Sequence, residues 1–128
     1  MRPETKEWSD KAEADYGTAA REAAVVDFPN HDAVCFHAQQ CVEKYLKALL
    51  VEGDARFPKT HDLLLLLNLA VPAWPDAESF RDDLANLTPY AVDVRYPGDR
   101  ADAELAEEAL KSCQRVRAAL RSLLALTP

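Results

Sequence analysis

The chain has little of what strands, disulfide frameworks or membrane spans require. Only three of its 128 residues are glycine and three are cysteine, and no β-branched run alternates with polar residues, so no strand is predicted. An odd cysteine count without a Cys-x-x-Cys spacing disfavours a disulfide framework and a structural zinc site, and we expect reduced thiols in the core. The longest apolar run, Leu63–Leu67, is far too short to cross a membrane. Charged residues interrupt the N-terminus, so we expect no signal segment and a soluble, cytoplasmic protein.

The charge balance is acidic, with a net charge of −7 and a pI of about 4.9. A surface that coats nucleic acid needs many Lys and Arg side chains against the phosphates, so that class of protein is disfavoured. A local basic pocket remains compatible with this composition. The hydrophobic fraction of 48% supports a sizeable core, and the length suits one domain over residues 1–128.

Apolar residues recur at helical spacing in five segments. The predicted helices cover about residues 4–27, 31–52, 60–71, 75–94 and 102–126, the fourth being interrupted near Thr88-Pro89. Thr60 is the predicted N-cap of the third helix, which is apolar almost all round and is therefore expected to be buried on more than one side. Short loops between helices favour antiparallel neighbours. The predicted fold is all-α, an up-and-down antiparallel bundle of four to five helices.

Several spaced motifs resemble those of one family. They are Phe-His-Ala-Gln-Gln at 36–40, Glu-Lys-Tyr-Leu-Lys-Ala-Leu-Leu at 43–50, Pro-Lys-Thr-His-Asp-Leu at 58–63, the Trp8…Ala12…Asp15 opening, Leu-Ala-Asn-Leu-Thr at 84–88 and Arg-Tyr-Pro at 95–97. Their order closely resembles the HEPN family, small helical domains of prokaryotes and higher eukaryotes. The resemblance implies a bundle of four or five helices, dimer formation and, for compact prokaryotic members, work beside a small nucleotidyltransferase in arrangements resembling toxin–antitoxin pairs.

Arg56 and His61 are separated by four residues. The pair resembles the Arg/His motif of ribonuclease members of the wider HEPN superfamily. There the Arg would stabilise phosphate charge and the His would act as general acid or base. The alternative is a capping or pocket-lining pair without catalysis.

Asp15 is a carboxylate on an apolar helical stripe, where an unpaired charge is costly. The favoured partner is Arg95, in a proline-bounded turn. The two would either brace the bundle or line a pocket for phosphate. His37, at the edge of an apolar helix face, is either a hydrogen-bonded core histidine or a ligand contact. The predicted ligand-binding residues are therefore His61, Arg95, Asp15 and His37. The histidines are too scattered for metal spacing, so neither a metal site nor a cofactor is predicted.

One side of the second helix combines apolar and charged residues. We expect this side to face outward and to form a homodimer interface, because contiguous exposed apolar groups mark interaction sites. The predicted interface residues are Phe36, Gln40, Glu43, Lys47 and Leu50.

Three functions follow from these observations and the resemblance. The leading one is a nucleotide- or RNA-binding interaction module in a two-gene system with a nucleotidyltransferase partner. The second is a metal-independent endoribonuclease toxin that uses Arg56 and His61. The third is a structural interaction protein without a ligand.

Overall fold

Five α-helices form the fold, which is seen in a computed structural model that describes residues 1–92, 94 and 97–127. Two 3₁₀ helices, Pro75–Phe80 and Thr88–Ala91, flank the fourth α-helix. The described residues contain no strand. The predicted all-α helical bundle is confirmed. The α-helices are α1 Pro3–Ala23, α2 His31–Glu52, α3 Leu63–Ala70, α4 Arg81–Leu87 and α5 Ala103–Leu123.

Helix α2 is the central element, because it packs against all four other α-helices. From Cys41 to Val51 every residue except Lys44 is buried. The core therefore surrounds this helix instead of lying along one stripe of it. The largest fully buried side chains are Tyr45, Leu46, Leu49, Leu50, Leu63, Leu66, Leu67, Leu84, Leu87 and Leu120.

Short polar side chains begin three of the helices. The Asn30 side chain accepts a hydrogen bond from the Ala33 backbone N–H, and Asp102 accepts one from Leu105. The cap of α3 is Asp62, whose carboxylate accepts from two first-turn N–H groups. The prediction of Thr60 as this cap is wrong. Its hydroxyl instead accepts from the Asp62 N–H, in a turn just before the helix.

The predicted end of the first helix near residue 27 and the expected burial of the third helix on more than one side are also corrected. Helix α1 ends at Ala23, so Val26 lies in the following turn and is 89% exposed. Helix α3 is buried along Leu63, Leu66 and Leu67, whereas Leu65 on the other side is exposed. A run of five leucines therefore does not imply burial on every side, because an eight-residue helix at the edge of the bundle contacts the core along one face.

Glu13 of α1 joins three helices through its carboxylate. It accepts hydrogen bonds from the buried Tyr45 hydroxyl of α2 and from Arg117 of α5. Arg121 of α5 donates to the same Tyr45 oxygen at 2.8 Å. The Arg117 guanidinium also lies over the ring of Tyr16, 4.3 Å from its centroid. This network holds α1 and α5 against α2 with charge-assisted hydrogen bonds.

The stability of the fold is expected to fall in acid. Burial raises the pKa of Glu13, but hydrogen bonds from Arg117 and Tyr45 outweigh it, and the pKa lies below its ordinary 4.5. The hydrogen bond from Arg115 lowers the pKa of Asp83 below its ordinary 3.8, with burial opposing it. Both pKa values are lower in the folded state than in the unfolded one. The contribution of these two carboxylates to the stability of the fold is therefore complete above about pH 5. It is lost as the pH falls through their pKa values in the folded state.

Thermal melts from about pH 6 to about pH 3 test this expectation. The Asp83→Asn variant should lose less of its melting temperature on acidification than the wild type does. The matched control is Asp82→Asn, because Asp82 is an exposed neighbour whose side chain makes no hydrogen bond or ion pair with any described residue. Equal acid sensitivity in the wild type and Asp83→Asn would contradict the assignment.

The three cysteines, Cys35, Cys41 and Cys113, are all buried free thiols, as predicted. Burial, with the nearby charges of Asp32 and Asp102, raises the pKa of Cys35 to about 11. Within the part of the chain that is described, no helix has the length and apolar character needed to cross a membrane.

Candidate functional site

A carboxylate, a histidine and a lysine meet between α1 and α2. Oδ1 of Asp15 lies 2.7 Å from Nδ1 of His37, and Oδ2 accepts a hydrogen bond from Lys44. The Asp15 side chain is 11% exposed, against 30% for His37 and 23% for Lys44. These three residues are called the Asp15 cluster. Asp15 comes from α1, whereas positions 37 and 44 lie two turns apart on one side of α2.

The same set of groups recurs further along α2. Oε1 of Glu43 lies 2.8 Å from Nδ1 of His61, and Oε2 accepts a hydrogen bond from Lys47 at 3.1 Å. Gln39 donates both to this carboxylate, at 3.1 Å, and to the His61 carbonyl, at 3.2 Å. Glu43, Gln39, Lys47 and His61 are called the Glu43 cluster. Residues 39, 43 and 47 share one line of α2 at spacings of four residues.

The Glu43 carboxylate is buried although the histidine that it holds is not. The side chain of Glu43 is 3% exposed and that of Lys47 is 10% exposed, whereas that of His61 is 57% exposed. A buried carboxylate needs a countercharge and several hydrogen-bond donors, and Lys47, Gln39 and His61 provide them. The buried Glu43 carboxylate therefore holds the imidazole of His61, which lies at the surface.

The two carboxylates determine which ring nitrogens are available. Each carboxylate is paired with a lysine and accepts hydrogen bonds, so Nδ1 of each histidine carries a proton. Nε2 is then the free position, since neither ring makes an Nε2 hydrogen bond to any described residue. Such a nitrogen accepts a hydrogen bond or a proton when the ring is neutral, and donates to an anion when the ring is protonated.

The backbone before α3 holds His61 in place. The Leu63 N–H donates to the Thr88 hydroxyl at 3.0 Å. That hydroxyl and the Gln39 amide both donate to the His61 carbonyl. The imidazole position is thus set by contacts from α2 and from the start of the second 3₁₀ helix, so it is less free than its exposure suggests.

A cleft of about 320 Å³ lies between α1 and the Lys44 side of α2. It is called the Trp8 cleft and is lined by Glu4, Glu7, Trp8, Lys11 and Lys44. Lys44 belongs to the Asp15 cluster. Lys47 of the Glu43 cluster lies over the Trp8 ring, 5.3 Å from its centroid. The cleft therefore adjoins both clusters and adds an aromatic ring and a further cation, Lys11.

The structure brings together some of the predicted ligand-binding residues. Asp15 and His37 are in direct contact, while His61 belongs to the neighbouring cluster on α2. Arg95, the predicted partner of Asp15, lies outside the described residues. Both Asp15 oxygens already have partners in His37 and Lys44. Arg56 lines a separate surface cavity of about 380 Å³ whose walls do not include His61.

The predicted interface side of α2 is corrected in three places. Glu43, Lys47 and Leu50 are 2%, 8% and 1% exposed within the single chain, so they do not form an outward face. Phe36 and Gln40 are half-buried. The Phe36 ring meets the His37 ring edge-on, and Gln40 donates to Gln39. Homodimer formation stays a prediction, but most of this side of α2 is interior.

Sequence reasoning missed Lys44, Gln39, Trp8 and Lys11 as site residues. The spacing of four residues between Glu43 and Lys47 is visible in the sequence. It is typical of an ion pair on a solvent-exposed helix face as well as of a buried polar cluster. The signal that distinguishes the two cases is the apolar residues beside that line, Val42 and Leu46 on one side and Val51 on the other, which indicate that α2 is covered nearly all round. In the described part of the chain, no three His, Cys, Asp or Glu side chains converge as metal ligands would.

The fold and these clusters define an all-α bundle protein with a polar site on its central helix. The HEPN domain family matches residues 5–123, and the chain belongs to that family. A crystal structure of TT1696 from Thermus thermophilus is similar, with a TM-score of 0.78 and 25% sequence identity over 94% of this chain and 98% of that one. No curated protein sequence matches the chain. At the level of the family, the membership supports a nucleotide- or RNA-related module.

Proposed function

We propose that the chain is a nucleotide- or RNA-binding interaction module whose ligand occupies the Trp8 cleft and reaches the histidines of the two clusters. The observation that carries this proposal is the combination of an aromatic ring, two lysines and two carboxylates around one cleft of about 320 Å³. Every nucleobase has a face that stacks on an aromatic side chain, at about 1–3 kcal/mol per base. Lys11 supplies a cation for a phosphate, and carboxylates accept hydrogen bonds from ribose hydroxyls.

Charge favours a short ligand over a long strand. Lys44 is already neutralised by Asp15, and Glu4 and Glu7 oppose the charge of Lys11. The whole chain carries −7, and this acidic balance disfavours binding along many phosphates, which needs many Lys and Arg side chains. A mononucleotide, or one nucleotide at an RNA end or loop, suits this cleft better than a duplex or a long single strand.

The proposed setting is a two-gene system with a nucleotidyltransferase partner, resembling a toxin–antitoxin pair, in which this chain is a homodimer. An acidic surface suits a protein partner better than a nucleic-acid track. The test of this setting is the neighbouring reading frame. We expect it to encode a nucleotidyltransferase, and a neighbour of another kind would count against the two-gene system.

Ligand binding is tested by fluorescence in a Trp74→Phe background. Trp8 and Trp74 are the two tryptophans of the chain, so this change leaves Trp8 as the reporter. We expect AMP, ATP or a short RNA to quench its emission and to shift amide signals near Trp8, Lys11 and His61. Trp8→Ala should weaken binding about 5- to 150-fold, which corresponds to the loss of about 1–3 kcal/mol of stacking.

Lys11→Ala tests the contribution of the cleft's positive charge to binding, and Lys6→Ala is its matched control. Lys6 lies on the same helix, pairs with Asp10 in solvent and is not among the cleft residues. Lys11→Ala should weaken binding, while Lys6→Ala should leave it nearly unchanged. If millimolar ligand produces neither quenching nor amide shifts at the cleft, the module has no such ligand, and the structural interaction protein becomes the better interpretation.

The second candidate is the metal-independent endoribonuclease that uses Arg56 and His61. One observation favours it: a buried carboxylate orients His61 with Nε2 toward solvent, the arrangement that a general acid or base needs. The separate cavity of Arg56 weighs against it within one protomer. Incubation of RNA with the protein in EDTA decides between the endoribonuclease and the binding module. Cleavage that both His61→Ala and Arg56→Ala abolish supports the enzyme, whereas binding with intact RNA supports the module.

A further inference from the structure

The charges of the Trp8 cleft are separated along α1. The wall that this helix contributes consists of Glu4, Glu7, Trp8 and Lys11, whose spacings of three, four and seven residues place them on one face. Glu4 lies one turn before Trp8, and Lys11 lies nearly one turn after it. Lys44 enters from α2 and donates to Asp15, one turn beyond Lys11. The cleft therefore has a carboxylate at one end, an aromatic ring in the middle and two ammonium groups at the other end.

The two carboxylates of the cleft differ in their neighbours. The side chains of Glu4, Glu7 and Lys11 are exposed, and none of them makes a hydrogen bond or an ion pair with any described residue. Glu7 precedes Lys11 by four residues, the spacing of a helical ion pair, whereas Glu4 has no cation at that spacing. Arg2, which precedes Glu4 in the chain, is paired with Asp54. Glu4 is therefore the carboxylate that is more available to a ligand.

The four nucleobases present different edges to a carboxylate. The Watson–Crick edge of guanine has two adjacent donors, the N1–H and the N2 amino group, and these match the two oxygens of one carboxylate. Adenine and cytosine each place one amino donor beside a ring-nitrogen acceptor, so the second carboxylate oxygen would face a lone pair. Uracil has one N–H between two carbonyl oxygens. A carboxylate that contacts this edge therefore selects guanine.

A guanine nucleotide also matches the order of charges along the cleft. When its base stacks on Trp8 with the amino edge toward Glu4, its phosphate extends toward Lys11 and Lys44. The seven residues from Glu4 to Lys11 rise about 10 Å along the helix, which is comparable with the distance from the amino edge of a purine to its 5′-phosphate. The reverse orientation would place the phosphate beside a carboxylate and is disfavoured by charge repulsion.

We propose that Glu4 makes the Trp8 cleft selective for guanine nucleotides. Its carboxylate accepts hydrogen bonds from the N1–H and the N2 amino group of a base that stacks on Trp8. The inference rests on the nucleotide-binding function proposed above and names the base that the cleft recognises. Glu7 lies closer to Lys11, so it changes the charge around the ribose and phosphate without contacting the base edge.

Fluorescence titrations of the full chain in the Trp74→Phe background test the selectivity with GMP, IMP, AMP, CMP and UMP. GMP should bind about fivefold or more tightly than AMP, the lower end of what a bidentate contact discriminates, because Glu4 is exposed. IMP lacks the N2 amino group and should lie between them. Equal affinities for GMP and AMP overturn the selectivity but leave the binding module. Absence of binding by all five nucleotides overturns both.

Glu4→Gln tests the residue that is assigned to the base. The amide has one acceptor and one donor, which match the amino group and ring nitrogen of adenine, so the ratio of GMP to AMP affinity should fall to one or below. Glu4 is exposed in the first turn of α1, and circular dichroism checks that the fold is kept. A ratio that stays at the wild-type value in this variant overturns the assignment.

Two controls separate recognition of the base from charge. Glu7→Gln removes the same charge from the same cleft, so it should raise the affinity for all nucleotides alike and keep the ratio of GMP to AMP affinity. Asp10→Asn removes a charge from α1 outside the cleft, where Asp10 pairs with Lys6, and should change neither the affinities nor the ratio. Loss of the ratio in Glu7→Gln or in Asp10→Asn overturns the role of Glu4.

Discussion

Replacing Glu43 with alanine is expected to lower the free energy of unfolding by about 3–5 kcal/mol, the usual cost of removing one member of a buried ion pair. The Lys47 ammonium, whose side chain is 10% exposed, would lose its carboxylate. The Gln39 side chain, which is fully buried, would lose one of its two acceptors. The imidazole of His61 would no longer be anchored. Urea unfolding followed by circular dichroism measures the change.

Two further variants separate the charge from the packing. Glu43→Leu with Lys47→Met removes both charges and keeps apolar volume, so it should recover most of the stability lost in Glu43→Ala. His61→Ala removes a partner that is 57% exposed and should cost about 1 kcal/mol or less. If Glu43→Ala unfolds at the wild-type urea concentration, the carboxylate is not what stabilises this part of α2.

Replacing Leu46 with alanine is expected to cost about 2–5 kcal/mol, since the lost transfer free energy adds to the cost of a cavity that the bundle cannot fill. Leu46 is fully buried on the central helix. At this chain length the loss corresponds to about 3–5 °C of melting temperature per kcal/mol. Thermal unfolding monitored by circular dichroism measures it.

Leu69→Ala is the control for the same chemical change at an exposed site. Leu69 is 37% exposed on α3, so its truncation should cost about 1 kcal/mol or less. Similar losses for Leu46→Ala and Leu69→Ala would contradict the central position of α2. A large loss for Leu46→Ala alone supports a core that surrounds this helix.

The regular part of the fold follows from the sequence. Residues 31–52 were predicted as the second helix, and the structure has α2 over the same residues, because Asn30 caps it and Gly53 follows its last turn. The last helix was predicted to start near Asp102 from its apolar periodicity, and the structure shows the Asp102 side chain capping α5. Periodicity and capping are local, so they can be recognised without knowledge of the neighbours.

The position of α2 among its neighbours could not be predicted in this way. A line of Gln39, Glu43 and Lys47 is typical of a solvated face, and burial was decided by helices distant in sequence. The same limit applies to Asp15: its need for a partner followed from its apolar stripe. Its contacts with His37 and Lys44 depend on how α1 crosses α2. The local sequence pattern thus identified Asp15 as a polar residue that requires a partner. Which residues are its partners depends on how the helices pack.

The burial of all three cysteines gives the chain a built-in reporter of its own unfolding. A thiol reagent meets Cys35, Cys41 or Cys113 only when the helices around them separate. Burial also raises the pKa of Cys35 and of Cys41, so the reactive thiolate of these two residues is scarce while they are packed. Cys41 on α2 and Cys113 on α5 then report opening of the central pair of helices. When the reagent is concentrated enough for alkylation to outpace reclosing, the rate at which these thiols are alkylated gives the rate of that opening, without any label having been added.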